Sequence, residues 1–201
     1  FVGDACIYYG DQAPNFFPAF HDVPEKPRIP GLDRGYDYDV VNSDVILNRM
    51  SVRDGRIVLP DDMSYRVMLL PDQDHMPLGV LEKLAAMVNE GATITGSPPV
   101  TVPGLKDYKE QNRKLQQLAS EMWGAADGEK VFSNEYGRGR VFRGLTLNQV
   151  LEGDGIVKDF SFTGEDEIDY IHRTTGKEDI YFLRNPAEHS IKSMCSFRME
   201  G

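Results

Sequence analysis

The side chains best suited to chemistry in this sequence are acidic and gather early in the chain. Asp11, Asp33, Asp37 and Asp39 lie within or at the end of one long loop, beside Asn15 and several tyrosines. Loops dense in oxygen donors and aromatic rings suit sugar hydroxyls or a hard cation such as Ca²⁺. Asp11 follows the apolar run Ala5 to Tyr9, and in parallel sheets the loops after strand carboxyl ends line the usual ligand crevice. Asp and Asn also recur in turns for local hydrogen-bonding reasons, which is the competing explanation. The four histidines, His21, His75, His172 and His189, are scattered and form no i, i+4 metal pair. His172, within Ile171-His172-Arg173, places cationic groups at a strand end, where a neighbouring carboxylate would also satisfy it.

Other reaction classes find little support. Cys6 and Cys195 stand near opposite ends, so neither a disulfide framework nor a cysteine zinc site is offered, and Cys6 reads as a core thiol. Gly137-Arg138-Gly139 falls inside a hairpin pattern, not between a strand and a helix, and no P-loop accompanies it. After the first strand stands Gly10-Asp11-Gln12-Ala13-Pro14, whose acid would repel a flavin or nucleotide phosphate. Gly96-Ser97-Pro98-Pro99 ends another strand without a Cys nucleophile or a G-x-S-x-G elbow around Ser97.

Composition narrows the class further. The 201 residues, 40% apolar and 27% charged, describe an ordinary globular chain. Acidic groups outnumber basic ones 32 to 22, and the net charge of −10 argues against nucleic acid as a partner. No apolar run approaches the roughly 20 residues of a membrane span, and no signal segment opens the sequence. Phe1 at one end and a strand-like Ser196 to Gly201 at the other suggest a piece of a longer protein.

The elements that must position these groups alternate through most of the chain. Strands are expected at Ala5–Tyr9, Tyr36–Val41, Tyr65–Leu70 and Ala92–Thr95. Helices are expected from Ser43 and Asp44, as N-cap and first-turn acid, to Met50; from Asp74 or His75 to Gly91; over Leu105–Trp123; and over Leu147–Leu151. Hairpins are expected around Asp54-Gly55 and around Gly137-Arg138-Gly139. The proline-rich stretch 10 to 35 cannot be a regular helix or central strand. From 159 onward strands follow strands, at 160–162, 168–172, 180–184 and 191–199, either extending the sheet or opening a β-sandwich. Residues 1–158 therefore read as an α/β domain with a parallel sheet, and 159–201 as C-terminal antiparallel strands.

Several blocks, in order, resemble one family. Tyr8-Tyr9-Gly10-Asp11-Gln12-Ala13-Pro14-Asn15-Phe16 is similar to the Y-G-D-x-x-P-N segment of glycoside hydrolase family 106, the α-L-rhamnosidases. Gly35-Tyr36-Asp37-Tyr38-Asp39 resembles its G-Y-D-Y-D run, and Ile171-His172-Arg173 with Asp179-Ile180-Tyr181-Phe182 and Asn185 resembles its I-H-R and D-I-Y-F-x-x-N blocks. The resemblance covers essentially the whole chain. It implies a flavodoxin-like or class I glutamine amidotransferase-like sheet with helices on both faces, packed beside a catalytic (β/α)-barrel that precedes it, with β-sandwich domains after it. It further implies an exported enzyme acting on rhamnose-containing plant-type polysaccharides by calcium-assisted inversion, with both catalytic glutamates in the barrel. This piece would then be non-catalytic and cofactor-free, with Asp11, Asn15, Asp37, Asp39, His172 and Arg173 as residues bordering the sugar cleft. The rival readings are a carbohydrate-binding or purely structural module, and an independent hydrolase using Ser97.

Overall fold

Strand β1 (Ala5–Tyr8) is buried along its whole length and divides its side chains between two cores. Cys6 and Tyr8 face one side, Ala5 and Ile7 the other, as the two-residue period of a strand dictates. The computed structural model describes residues 1–11, 29–164 and 167–199.

Flanking β1 are β2 (Tyr38–Val41) and β6 (Val67–Leu69), followed outward by β7 (Thr93–Thr95), β9 (Gly139–Phe142) and β8 (Ser133–Tyr136). All pairings in this six-stranded sheet are parallel except β8 on β9, a hairpin turning at Gly137. Taken in chain order, the five parallel strands lie 2-1-3-4-5.

Helices cover both faces. Helix α1 (Ser43–Arg49), α2 (Leu78–Glu90) and α3 (Tyr108–Trp123) bury Ile46, Leu81, Leu84, Leu115 and Met122 against the Cys6 side. Helix α4 (Leu147–Gly153) buries Leu147, Val150 and Leu151 against Ala5, Ile7 and Val67. Each such side chain contributes about 1.5–3 kcal/mol on burial, so the Cys6 side holds most of the apolar stabilisation. A capping box between Thr146 and Gln149 starts α4, and Gly91 ends α2 at φ 123°.

Several boundaries differ from those the sequence suggests. Asn42, not Ser43, caps α1, its side chain accepting from the Val45 N–H, which leaves the Ser43 hydroxyl available. Helix α2 begins at Leu78, three or four residues late, because Pro77 holds its predecessor away from helical geometry. Asp107, left-handed at φ 50°, forbids a helix through Leu105 and delays α3 to Tyr108. The expected strand Tyr65–Leu70 is two strands. β5 (Ser64–Tyr65) completes a small antiparallel sheet with β3 (Ser51–Arg53) and β4 (Arg56–Val58), and the chain enters the main sheet only after Arg66.

The C-terminal strands stay outside the main sheet. β10 (Phe160–Phe162) pairs with β13 (Cys195–Phe197), shorter than expected, and β11 (Asp169–Thr174) pairs with β12 (Asp179–Arg184). Gly35, at φ +99°, docks them. Its carbonyl accepts from the N–H groups of Asp159 and Phe160, and a Cβ there would run into the Phe160 carbonyl. Among the described residues no helix is long and apolar enough to cross a membrane.

Candidate functional site

Asp11 leaves the carboxyl end of β1 and is held by hydroxyls from two elements. The buried Tyr8 hydroxyl donates to its carboxylate, and Ser43 Oγ stands 2.6 Å from both carboxylate oxygens. The two hydroxyls are themselves 2.9 Å apart. Burial and the hydrogen bond to Asp11 push the Tyr8 hydroxyl well above the usual tyrosine range, so it stays a donor. The Asp11 side chain remains exposed. A pinned, solvent-facing carboxylate accepts hydrogen bonds from a ligand hydroxyl without searching for its orientation. Gly10, at φ +82°, keeps the turn open beside the Gln73 side chain that follows β6.

The other residues expected near Asp11 stand elsewhere. Asp39 sits mid-strand in β2, opposite Cys6, and accepts from the Tyr65 hydroxyl at 2.8 Å. Asp37 is buried at the amino end of β2, its Oδ1 accepting from the Tyr38 N–H and its carbonyl from the Asp4 N–H, both at 2.8 Å. Asp33 binds Lys158 at 2.9 Å, which holds its carboxyl below the usual carboxylate range. Asn15 lies outside the described residues. His172 and Arg173 belong to β11; His172 is 4% exposed and Arg173 faces solvent. β1 thus separates Asp11, after its last residue, from Asp37, before its first partner.

His172 anchors a second polar cluster, at the amino end of the sheet. Its Nδ1 lies 3.0 Å from Asp159 Oδ2 and its Nε2 3.0 Å from Asp179 Oδ1, and the ring stacks on Tyr181 at 4.0 Å. The Tyr181 hydroxyl is 2.9 Å from Asp159 Oδ1 and 2.7 Å from the Arg198 carbonyl. Arg198 Nη2 reaches Asp4 Oδ1 at 2.8 Å and Asp159 Oδ1 at 3.5 Å, and Arg66 approaches Asp4 at 3.6 Å. Asp4 and Asp159 are each about 1% exposed as side chains. Burial raises the Asp4 carboxyl above the usual range, and the Arg198 guanidinium only partly offsets this. Main-chain bonds converge on the same place, Arg66 N–H on the Asp4 carbonyl and Val2 N–H on the His172 carbonyl. This cluster ties β10–β13 to the start of β1 and β6.

Sequence reasoning singled out His172 and marked Asp179 only as part of the D-I-Y-F block, while Asp4, Asp159 and Arg198 went unmarked. The one local signal was an acid, Asp4, abutting the apolar run of β1. Among the described residues no three His, Cys, Asp or Glu side chains form a metal-holding group.

A family model described as alpha-L-rhamnosidase, that of glycoside hydrolase family 106, matches residues 1–201. The chain belongs to glycoside hydrolase family 106. Over 200 residues this family 106 chain is 30% identical to a protein of Formosa agariphila named "Putative beta-glucuronidase", covering 98% of itself and 15% of that protein. It is also similar to the structure of a rhamnosidase from Novosphingobium sp. PP1Y, with a TM-score of 0.83 and 27% identity. That likeness covers 100% of the family 106 chain and 18% of the rhamnosidase. The rhamnosidase it resembles therefore has other domains, and the match includes both the Asp11 group and the buried His172 cluster.

Proposed function

We propose that this chain is a non-catalytic α/β domain of a larger α-L-rhamnosidase-like enzyme, exported and acting on rhamnose-containing plant-type polysaccharides. The observation that carries the reading is the family match across every residue of a chain spanning only 18% of the rhamnosidase it resembles. The parallel order 2-1-3-4-5, with helices on both faces, supports a flavodoxin-like or amidotransferase-like ancestry. In amidotransferases of that fold a Cys nucleophile would follow an early central strand. Here Gly96-Ser97-Pro98-Pro99 follows β7, and Cys6 is buried inside β1, its thiol pushed up by burial. The hydrolytic carboxylates, and calcium where it assists them, belong in this reading to the catalytic barrel outside these residues.

Within the enzyme the domain braces its neighbours and offers Asp11 to the rim of the sugar cleft. The outer face of the β11–β12 hairpin suits the bracing role. Register places Ile171 against Phe182 and Arg173 against Ile180 on that face, where Phe182 is 60% exposed. An apolar stripe edged by the Asp169–Arg184 ion pair is a surface for another domain of the same polypeptide. Phe182→Asp should change the stability of this chain alone by no more than about 0.5 kcal/mol. In the full-length polypeptide it should lower the urea midpoint; equal midpoints there would remove the docking role.

Hydrolysis of an aryl α-L-rhamnoside tests the main reading. Activity in the full-length polypeptide, lost with a calcium chelator and absent from the 201-residue chain, is the expected result. Turnover by the chain alone would overturn it.

A further inference from the structure

At the amino ends of β6, β7 and β9 lies a cleft of about 430 Å³, on the side of the sheet opposite Asp11. Four guanidinium groups line it, those of Arg56, Arg66, Arg138 and Arg140. In a chain of net charge −10 such a gathering is not an average of the composition. Three of the four are engaged by neighbouring side chains, Arg140 by an acid of the cleft wall itself. Arg140 Nη2 binds Asp154 at 2.8 Å, and its guanidinium carbon stands 5.3 Å over the Phe142 ring. Arg56 Nε donates to Ser64 Oγ at 2.9 Å, and Arg66 is drawn toward Asp4. Arg138, at the tip of the β8–β9 turn, has its backbone fixed by the Asn89 carbonyl at 3.1 Å. Its guanidinium makes no ion pair among the described residues.

The same wall carries Asp54, Glu135 and Asp154. Three carboxylates beside four guanidiniums leave the cleft barely cationic, and they would repel a multiply charged anion such as sulfate. A ligand with one carboxylate and several hydroxyls fits the mixture. Guanidinium forks take the carboxylate in bidentate fashion, and carboxylates accept from the hydroxyls. The volume holds one or two pyranose rings, near the lower end of ordinary ligand sites. Among the described residues no aromatic ring lines the cleft, so a neutral sugar finds no stacking platform from them.

We propose that this cleft is a second saccharide site, separate from Asp11, that binds a uronic-acid pyranose. The proposal rests on the glycosidase reading above only in taking the ligand to be a sugar. It places recognition of acidic residues in a glycan on this domain, away from bond cleavage.

The test is calorimetric or NMR titration of the full-length polypeptide with D-glucuronate, D-glucose and inorganic sulfate. D-Glucuronate and D-glucose differ only in the carboxylate. Saturable D-glucuronate binding is expected, with D-glucose and sulfate each about tenfold weaker. Arg138→Ala should weaken D-glucuronate by about tenfold, as loss of one charged hydrogen-bonding fork. Arg113→Ala, on the exposed face of α3, should leave it unchanged. Equal affinity in wild type and Arg138→Ala, equal binding of D-glucose, or displacement by equimolar sulfate would each overturn the proposal. Aryl α-L-rhamnoside hydrolysis in the same preparation reads the functional assignment separately. Its absence alongside Arg138-dependent D-glucuronate binding would remove that assignment and leave the acidic-sugar site standing.

Discussion

The two ends of the central sheet use polar side chains in opposite ways. At the carboxyl end, Tyr8, Ser43 and Asp11 form a small group whose carboxylate faces water. At the amino end, Asp4, Asp159, His172 and Arg198 are withdrawn from water and joined by ion pairs, with both Asp4 carboxylate oxygens lacking a well-aligned hydrogen bond. An exposed polar group adds little to stability and remains available to a ligand. A buried one is costly to strand, so it locks together the segments that carry its partners. The difference separates a rim from a clasp.

Arg198→Ala strikes the clasp hardest. It leaves Asp4 buried beside Asp159 with Arg66, at 3.6 Å, as the remaining cation, and urea unfolding should show a loss of about 3–5 kcal/mol. A loss under about 1 kcal/mol would mean the C-terminal strands are held by something else.

His172→Phe is gentler because stacking on Tyr181 persists. Asp159 keeps Tyr181 and Arg198, and Asp179 turns to solvent, so the expected cost is about 1–3 kcal/mol. A neutral outcome would show that the imidazole fills space without bridging the carboxylates.

Acid titration distinguishes buried from exposed carboxylates by sign. Burial raises Asp4 in the folded chain, so its contribution is greatest below about 3.8 and is lost as pH rises through the raised value. Asp127 is the opposite case, lowered to about 2 by the backbone N–H groups of Val131, Lys130 and Glu129. Its contribution is present above about 3.8 and lost as pH falls toward 2. Relative to Asp4→Asn, the wild type should therefore gain stability on acidification. Relative to Asp127→Asn it should lose it. Parallel curves for the two variants would break the contrast.

The smallest stability effects belong to the rim. Tyr8→Phe and Ser43→Ala should each cost no more than about 1 kcal/mol. On the proposed reading, Asp11→Ala should fold normally yet lower kcat/KM of the full-length polypeptide on an aryl α-L-rhamnoside by about tenfold, the weight of one charged hydrogen bond. Unchanged kinetics in a folded variant would withdraw Asp11 from the proposed sugar cleft.

Much of the fold was legible because its signals are local. The apolar run before Gly10, the periodic Val80, Leu81, Leu84 and Val88, and the glycines at 91 and 137 mark a strand, a helix and their ends directly. Helix starts were less so, since Pro77 and a left-handed Asp107 override the apolar period upstream of them. The acidic residues misled in a specific way. Asp11, Asp37 and Asp39 are close in sequence order, yet a parallel pairing sends the first to one end of the sheet and the second to the other.

By itself, then, the sequence determined the alternation of strands and helices, the change of pattern after residue 158 and the membership of family 106. Each depends on residue types at short spacing or on motifs in order. Only the tertiary structure decided which charges meet. Asp4 and Arg198 lie at opposite ends of the chain, and the four arginines of the amino-end cleft come from three separate hairpins and strand starts. Pairing over such separations is set by strand order and burial, which no local pattern encodes.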